Sequence, residues 1–241
     1  MVHRFSGPAA AVYDAGRAAY MPEVVAALEL PRPPARVLDL AAGTGLLSRA
    51  LLAVGHEVVA VEPDPDMASR LPKGVEARTA TAEATGLAAA SVDAVVVGDA
   101  WHWFDAEAAA AEVRRVLRPG GRLALVWRFS VAEERPAALS GFYARLAAAR
   151  GEHPGFRGAR GREALECHPG FTSFTHRQIA FVHRTTPAGL LAEAASASFV
   201  NAMPQRDAFL AGLGRELDVN DVGAVDVSYV ADVWLTRRAP A

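Results

Sequence analysis

The chain has 241 residues, 51% of them hydrophobic, and a mean hydropathy of +0.13, which suits one large domain and is short for two complete ones. A formal net charge of -2 and a pI near 6.4 supply no overall field toward nucleic acid or an anionic membrane. A single cysteine, Cys167, excludes an internal disulfide framework and any multi-cysteine metal cluster.

The opening MVHRFSGPAA lacks the apolar core of a signal peptide, and no window approaches about 18 uninterrupted apolar residues. The expectation is a cytoplasmic protein with no membrane partner. From Ala35 onward, β-rich runs alternate with helical stretches. ARVLDLA (35–41) leads into the amphipathic GLLSRALLAVG (45–55), then HEVVAVEP (56–63). A helix follows, with Asp64 as N-cap and Pro65 at its first position. GVEARTAT (74–81) and SVDAVVVGDA (91–100) read as the next strands. DAEAAAAEVRRVLRPGG (105–121) reads as a helix stopped by Pro119-Gly120-Gly121, and RLALVWRF (122–129) as the strand after it. Apolar runs joined by helices predict a parallel sheet covered on both faces, and right-handed crossovers make it doubly wound.

The later chain changes character. Ser130 with Glu133 resembles a capping box opening a helix that runs to about Arg150. GEHPGFRGARGRE (151–163) has no clear period and is expected to be a mobile surface loop. TSFTHRQIAFVHR (172–184) and AVDVSYVADVWLTRR (224–238) alternate apolar and polar residues, as half-buried or antiparallel edge strands do. Helices are expected from Thr186-Pro187 and over roughly 204–217.

The chemistry concentrates at the first strand-to-helix loop. Gly43 and Gly45 fill two positions of a dinucleotide fingerprint, but Ser48 stands at the third. Asp39, just before the glycines, is unfavourable beside a pyrophosphate and favourable beside a cation. S-adenosylmethionine carries a sulfonium and an ammonium and no phosphate. Glu62, ending the second strand, is placed to take ribose hydroxyls, although nicotinamide cofactors use the same arrangement.

Taken together, VLDLAAGTG, VVAVEPDPDM, TAEA with SVDAVVVGDAWHWFD, and VRRVLRPGGRLALVW resemble the class I S-adenosylmethionine-dependent methyltransferases, in particular the small-molecule, type 11 group. AAAVYDAGRAAYMPEVV resembles that group's N-terminal segment, and the tail its closing strand pair. The resemblance implies an α/β, Rossmann-like fold: a mostly parallel sheet of about seven strands with an antiparallel edge strand, helices on both faces and an N-terminal helical lid. It also implies one domain: a cap over 1–33, a cofactor core over 34–129, a variable substrate region over 130–223, and a final edge strand over 224–238.

Residue by residue, the resemblance assigns the methionine end of the cofactor to Asp39, Ala41, Gly43 and Gly45. Glu62 takes the ribose, with Pro63 and Asp64 along the adenosine, and Thr81 and Ala82 at the adenine edge. Gly98, Asp99 and Ala100 pass near the methionine and methyl group, while Tyr13, Arg17 and Tyr20 cover the cofactor. Arg17 is suited to pair with the cofactor's carboxylate. Several positions depart from the family pattern: Ala41 replaces a usual glycine, Thr81 a common aspartate, and Thr85-Gly86 a common Leu-Pro.

Trp101, His102 and Trp103 follow the strand whose end faces the methyl group. The tryptophans are candidates to line a substrate pocket or attract the sulfonium, or simply to pack under the sheet. His102 is a candidate general base, with a structural or substrate-orienting role as the alternative. His153, His168, His176 and His183 have no metal-ligand spacing, Cys167 beside His168 reads as an ordinary thiol, and the arginines of 157–162 as a solvated loop. No metal is expected. The expected reaction is methyl transfer to an O, N or C nucleophile of a small-molecule acceptor, with S-adenosylhomocysteine as product. Asp99-Ala100-Trp101-His102 lacks the Asn/Asp-Pro-Pro-aromatic pattern of amino-group methylation on adenine, and no nucleic-acid module is appended. A nicotinamide oxidoreductase is opposed by Ser48 and Asp39. The same fold serving a non-methylating reaction or a regulatory role stays open at this point, as does the oligomeric state.

Overall fold

The computed structural model describes residues 13–14, 16–150 and 165–240. The loop expected over 151–163, with His153 and the arginines of 157–162, lies outside the described residues, as do the residues ahead of Tyr13. From Pro22 onward the elements are α1 (Pro22–Ala27), β1 (Arg36–Leu40), α2 (Leu46–Ala53), β2 (Glu57–Val61), α3 (Pro65–Ala68), β3 (Glu76–Arg78) and β4 (Val92–Gly98). Next come α4 (Ala106–Val116), β5 (Leu117–Ser130), α5 (Ser140–Arg150) and β6 (Thr175–Thr185). The chain ends with α6 (Pro187–Ala195), α7 (Ser198–Asn201), α8 (Arg206–Val219) and β7 (Val225–Arg237).

The seven strands form one sheet in the order β3-β2-β1-β4-β5-β7-β6. β1 pairs in parallel with β2 and β4, β2 with β3, and β4 with β5. Strand β7 runs against β5: the Arg238 amide donates to the Gly121 carbonyl and the Val131 amide to the Ser228 carbonyl. It also opposes β6, where His176 meets Asp232 and Arg184 meets Asp226. The 224–238 strand, expected outermost, therefore lies one place inside β6. Its alternating burial fits that position, since one face packs on the core while the other stays partly open.

The described residues fall into two compact units. One comprises residues 19–128, 165–179 and 231–240. Its centre is the parallel sheet, with Val37, Leu38 and Leu40 of β1, Ala94–Val97 of β4 and Leu123–Val126 of β5 all buried. Such continuous apolar runs belong to strands covered on both faces. The other unit comprises residues 13–18, 129–150 and 180–230; in it α8 packs against α6 and α5, and α5 against α7.

Local chemistry explains most boundaries. Asp64 caps α3 by accepting from the amides of Asp66 and Met67, Asp105 caps α4 through Ala108, and Thr186 caps α6 through Gly189. Two boundaries differ from expectation. Helix α4 ends at Val116, because Leu117 is already extended and pairs with Val92; residues between Leu117 and Arg122 then form an irregularity in the β4–β5 pairing. Ser130 opens no helix. It ends β5, two short 3-10 turns follow at Ala132–Glu134 and Ala137–Leu139, and α5 starts only at Ser140, after Pro136.

Candidate cofactor site

In the sheet-centred unit, the loops after β1, β2 and β4 all leave the carboxyl ends of parallel strands, where α/β proteins bind ligands. After β1 the backbone turns through left-handed conformations at Ala41, Gly43 and Gly45. The Ala42 amide bonds the Val61 carbonyl at 3.1 Å, tying this loop to the end of β2.

The carboxylate of Glu62 fastens the same two loops together. One oxygen accepts the Gly43 amide at 2.8 Å and the other accepts the Asp64 amide at 2.9 Å. Burial raises the Glu62 carboxyl above its ordinary range, against the two amide bonds, which lower it. A Cβ added to Gly43 would meet only the Met67 methyl, at 3.5 Å, so the loop face there is open to a ligand. Pro63 is half-buried beside Glu62; Thr81 is exposed, and Ala82 is buried behind it.

Asp39 lies deeper. It is 1% exposed and accepts the Ser48 hydroxyl at 2.6 Å, on the first turn of α2. Burial pushes its carboxyl up to about 7, opposed by the bonds from Ser48. Any effect of Asp39 on a ligand therefore acts through the loop and helix it anchors, or as a field, since the carboxylate is sealed from solvent.

The third loop carries a cluster that the sequence only half revealed. Asp99, with φ of 53°, accepts the Arg128 amide at 2.9 Å on one oxygen. The Arg128 guanidinium reaches the other oxygen at 2.9 and 2.7 Å. It also stacks 3.9 Å above the Tyr20 ring, whose hydroxyl lies 3.4 Å from the same carboxylate. Gly98 has no room for a side chain, since an added Cβ would fall 2.2 Å from the Tyr20 hydroxyl. Tyr20, Gly98, Asp99 and Arg128 thus form one packed group. Arg128 went unnoticed in the sequence, although a charge closing the apolar run ALVW of β5 is the signal that marks it.

Trp101 to Trp103 form a 3-10 turn next to the buried Ala100. Trp101 is 1% exposed and packs edge-on against Phe104. His102 and Trp103 stay half-buried, with ring centroids 4.7 Å apart. The Trp127 indole N–H donates to Nδ1 of His102 at 3.4 Å. Indole is a donor only, so the neutral imidazole carries its proton on Nε2.

Tyr13 and Arg17 belong to the helical unit. There Arg17 donates to the Ser196 hydroxyl at 2.8 Å and lies 5.2 Å from the Tyr13 ring centroid. Gly16 is required by close packing, since a Cβ would fall 2.0 Å from the Glu193 amide nitrogen. The remaining histidines make local contacts: His168 accepts the Gly170 amide, His176 stacks on Trp234 beside Asp232, and His183 meets Tyr229 edge-on. Cys167 is an exposed thiol. Among the described residues, no group of three or more His, Cys, Asp or Glu is arranged to hold a metal, and no helix is long and apolar enough to cross a membrane.

The residues fit S-adenosylmethionine better than a phosphate cofactor. Asp39, Glu62 and Asp64 bring carboxylates to the glycine-bearing loop after β1 and the loop after β2, and the Gly43 amide that would meet a phosphate is already held by Glu62. The comparisons agree. Residues 38–125 match the family model described as "Methyltransferase domain". An uncharacterized methyltransferase from Mycobacterium tuberculosis is 41% identical over 202 residues, covering 82% of this chain and 78% of the relative. A malonyl-[acyl-carrier protein] O-methyltransferase from Methylococcus capsulatus is 40% identical over 132 residues, covering 49% of this chain and 48% of that one. A solved type II methyltransferase from Anaeromyxobacter dehalogenans superposes with a TM-score of 0.71 at 24% identity, covering 93% of this chain and 99% of that one. The chain belongs to the class I S-adenosylmethionine-dependent methyltransferase family.

Proposed function

We propose that this enzyme transfers the methyl group of S-adenosylmethionine to an oxygen, nitrogen or carbon nucleophile of a small molecule. The observation that carries the reading is the Glu62 carboxylate, buried between two loops beside the open face at Gly43. When bound, the cofactor supplies an electrophilic methyl group on a positively charged sulfur. In this reading Ala41, Gly43 and Gly45 hold the methionine end, on a loop that Asp39 anchors from beneath. Glu62 and Pro63 hold the ribose and adenosine, and Thr81 and Ala82 meet the adenine. Gly98, Asp99 and Ala100 flank the methionine and reacting methyl, with Tyr20 beside them.

The protein's contribution is placement. Holding a nucleophile in line at near-attack distance supplies up to about 7–11 kcal/mol in favourable systems, so no universal base is required. In this reading Trp103 and His102, half-buried in the turn after β4, orient the acceptor. The small-molecule assignment is supported by relatives. One is a demethylmenaquinone methyltransferase from Thermus thermophilus, 38% identical over 109 residues. A phosphoethanolamine N-methyltransferase from Haemonchus contortus, solved with S-adenosylmethionine, shares the fold at a TM-score of 0.56.

Calorimetry with S-adenosylhomocysteine tests the site. The native chain is expected to bind it, and Glu62→Ala to weaken binding by about 1.5–3 kcal/mol through lost charge-assisted hydrogen bonds. Equal affinity in the two proteins overturns the assignment of Glu62.

A further inference from the structure

The helical unit contains a polar cluster that the methyl-transfer site does not use. Arg135 sits in the short turns after β5, Tyr143 on α5, Glu193 on α6 and Tyr229 on β7. The Arg135 guanidinium lies 4.1 Å above the Tyr143 ring and donates to the Ser130 hydroxyl at 2.8 Å. Its Nε–H is buried without a hydrogen bond, and so is the Tyr143 hydroxyl, although Ser130 lies beside it. Among the described residues Arg135 forms no ion pair. Glu193, whose charge reaches Tyr143, is occupied by the Tyr229 hydroxyl at 2.7 Å.

The chemistry of these orphan groups specifies what satisfies them. An arginine Nε–H can only donate, and a buried donor left unmade costs about 1–3 kcal/mol. Burial and Glu193 push the Tyr143 hydroxyl up to about 12, so it stays protonated and able to donate. Two unmet donors on stacked side chains, one of them on a guanidinium that forms no ion pair among the described residues, call for an anionic oxygen acceptor. The planar fork of arginine matches a carboxylate, and the negative charge of Glu193 opposes a dianion such as phosphate. Arg135 keeps partial exposure, so the guanidinium is reachable.

We propose that Arg135 and Tyr143 form a carboxylate-binding site for one of the enzyme's small-molecule ligands. The anion site stands on its own geometry and does not rest on the methyltransferase reading.

Saturation-transfer NMR on the full chain with acetate, and with acetamide as neutral counterpart, tests the site directly. The native protein is expected to transfer saturation to acetate and not to acetamide. Arg135→Gln should reduce the acetate signal at least tenfold, Tyr143→Phe severalfold, and Arg135→Lys should retain part of it, with circular dichroism confirming that each variant folds. Equal acetate signals in native protein and Arg135→Gln overturn the site, as does acetamide matching acetate. Inorganic phosphate displacing acetate at lower concentration overturns the carboxylate class. Acetate binding needs no methyl donor, so its failure leaves the methyltransferase reading standing, and failure of S-adenosylhomocysteine to bind leaves the acetate result standing.

Discussion

The Ser48 hydroxyl donates to the Asp39 carboxylate at 2.6 Å, and both side chains are sealed beneath the first glycine-bearing loop. In a dinucleotide fingerprint the position of Ser48 is a third glycine, kept small for helix–strand packing. Here it carries the one hydroxyl that satisfies a buried acid, which links the two residues that set this loop apart from a phosphate site. Burial places the Asp39 carboxyl at about 7 instead of its ordinary 3.8. Between those pH values the folded chain holds a proton that the unfolded chain releases, so this group makes stability fall as pH rises. Asp39→Asn should flatten the stability profile across that window, by about 1–3 kcal/mol between its ends. Urea unfolding at a series of pH values checks this; parallel profiles for the two proteins would contradict it.

Ala41 occupies a left-handed backbone conformation, with φ of 58°. Alanine is disfavoured there by about 1–2 kcal/mol, and glycine is not, although glycine costs about 0.5–1 kcal/mol more to order from the unfolded chain. Ala41→Gly should therefore stabilise the fold by about 0.5–1 kcal/mol. A lower melting temperature in the variant would show that the methyl group packs usefully instead.

Arg128 is 6% exposed in its side chain and supplies the fork that holds Asp99. Arg128→Gln leaves that carboxylate without its charge partner and should cost about 2–3 kcal/mol. It should also weaken S-adenosylhomocysteine binding, because Asp99 stays at positive φ only while the surrounding contacts hold it. Arg128→Lys keeps the charge and loses the fork, so it should recover part of the stability. Unchanged melting and affinity in Arg128→Gln would remove the cluster from the site.

His102 accepts the Trp127 indole proton on Nδ1, so the neutral ring offers an N–H at Nε2 and no lone pair. That arrangement favours an orienting donor over a general base. His102→Gln, whose amide can also donate, is expected to keep the methyl-transfer rate within about tenfold and to leave its pH profile unchanged, whereas losing a true base costs about 10²–10⁴-fold. A loss of that size, with a pH limb near the ordinary histidine value of about 6.5 disappearing, would restore the base assignment.

The alternation of apolar runs and capped helices made the sheet legible, down to Asp64, Asp105 and Thr186 as caps, because those signals are local. What was not legible depended on partners distant in the chain. Thr85 looked like a plain departure from a family pattern, yet its amide and hydroxyl bond Glu112 at 2.9 and 2.5 Å, and Glu112 in turn pairs with Arg115. Arg128 and Tyr20 find Asp99 only through the order of strands and the docking of the N-terminal segment. Trp101 and Trp103 are indistinguishable by type; the short 3-10 turn, which no alternation rule anticipates, buries one and leaves the other partly open. The same limit applies to the Arg135–Tyr143 pair, whose members sit on separate elements of a region with weak periodicity.

The central claim is methyl transfer to a small molecule, and the most direct measurement follows the methyl group itself. The full chain is incubated with methyl-labelled S-adenosylmethionine and a metabolite extract freed of protein and nucleic acid, and the label is traced. The account predicts S-adenosylhomocysteine in step with a labelled small-molecule product, both reduced in Glu62→Ala when the cofactor is kept below saturation. Cofactor consumed without S-adenosylhomocysteine, or label found only on added nucleic acid or protein, would contradict it.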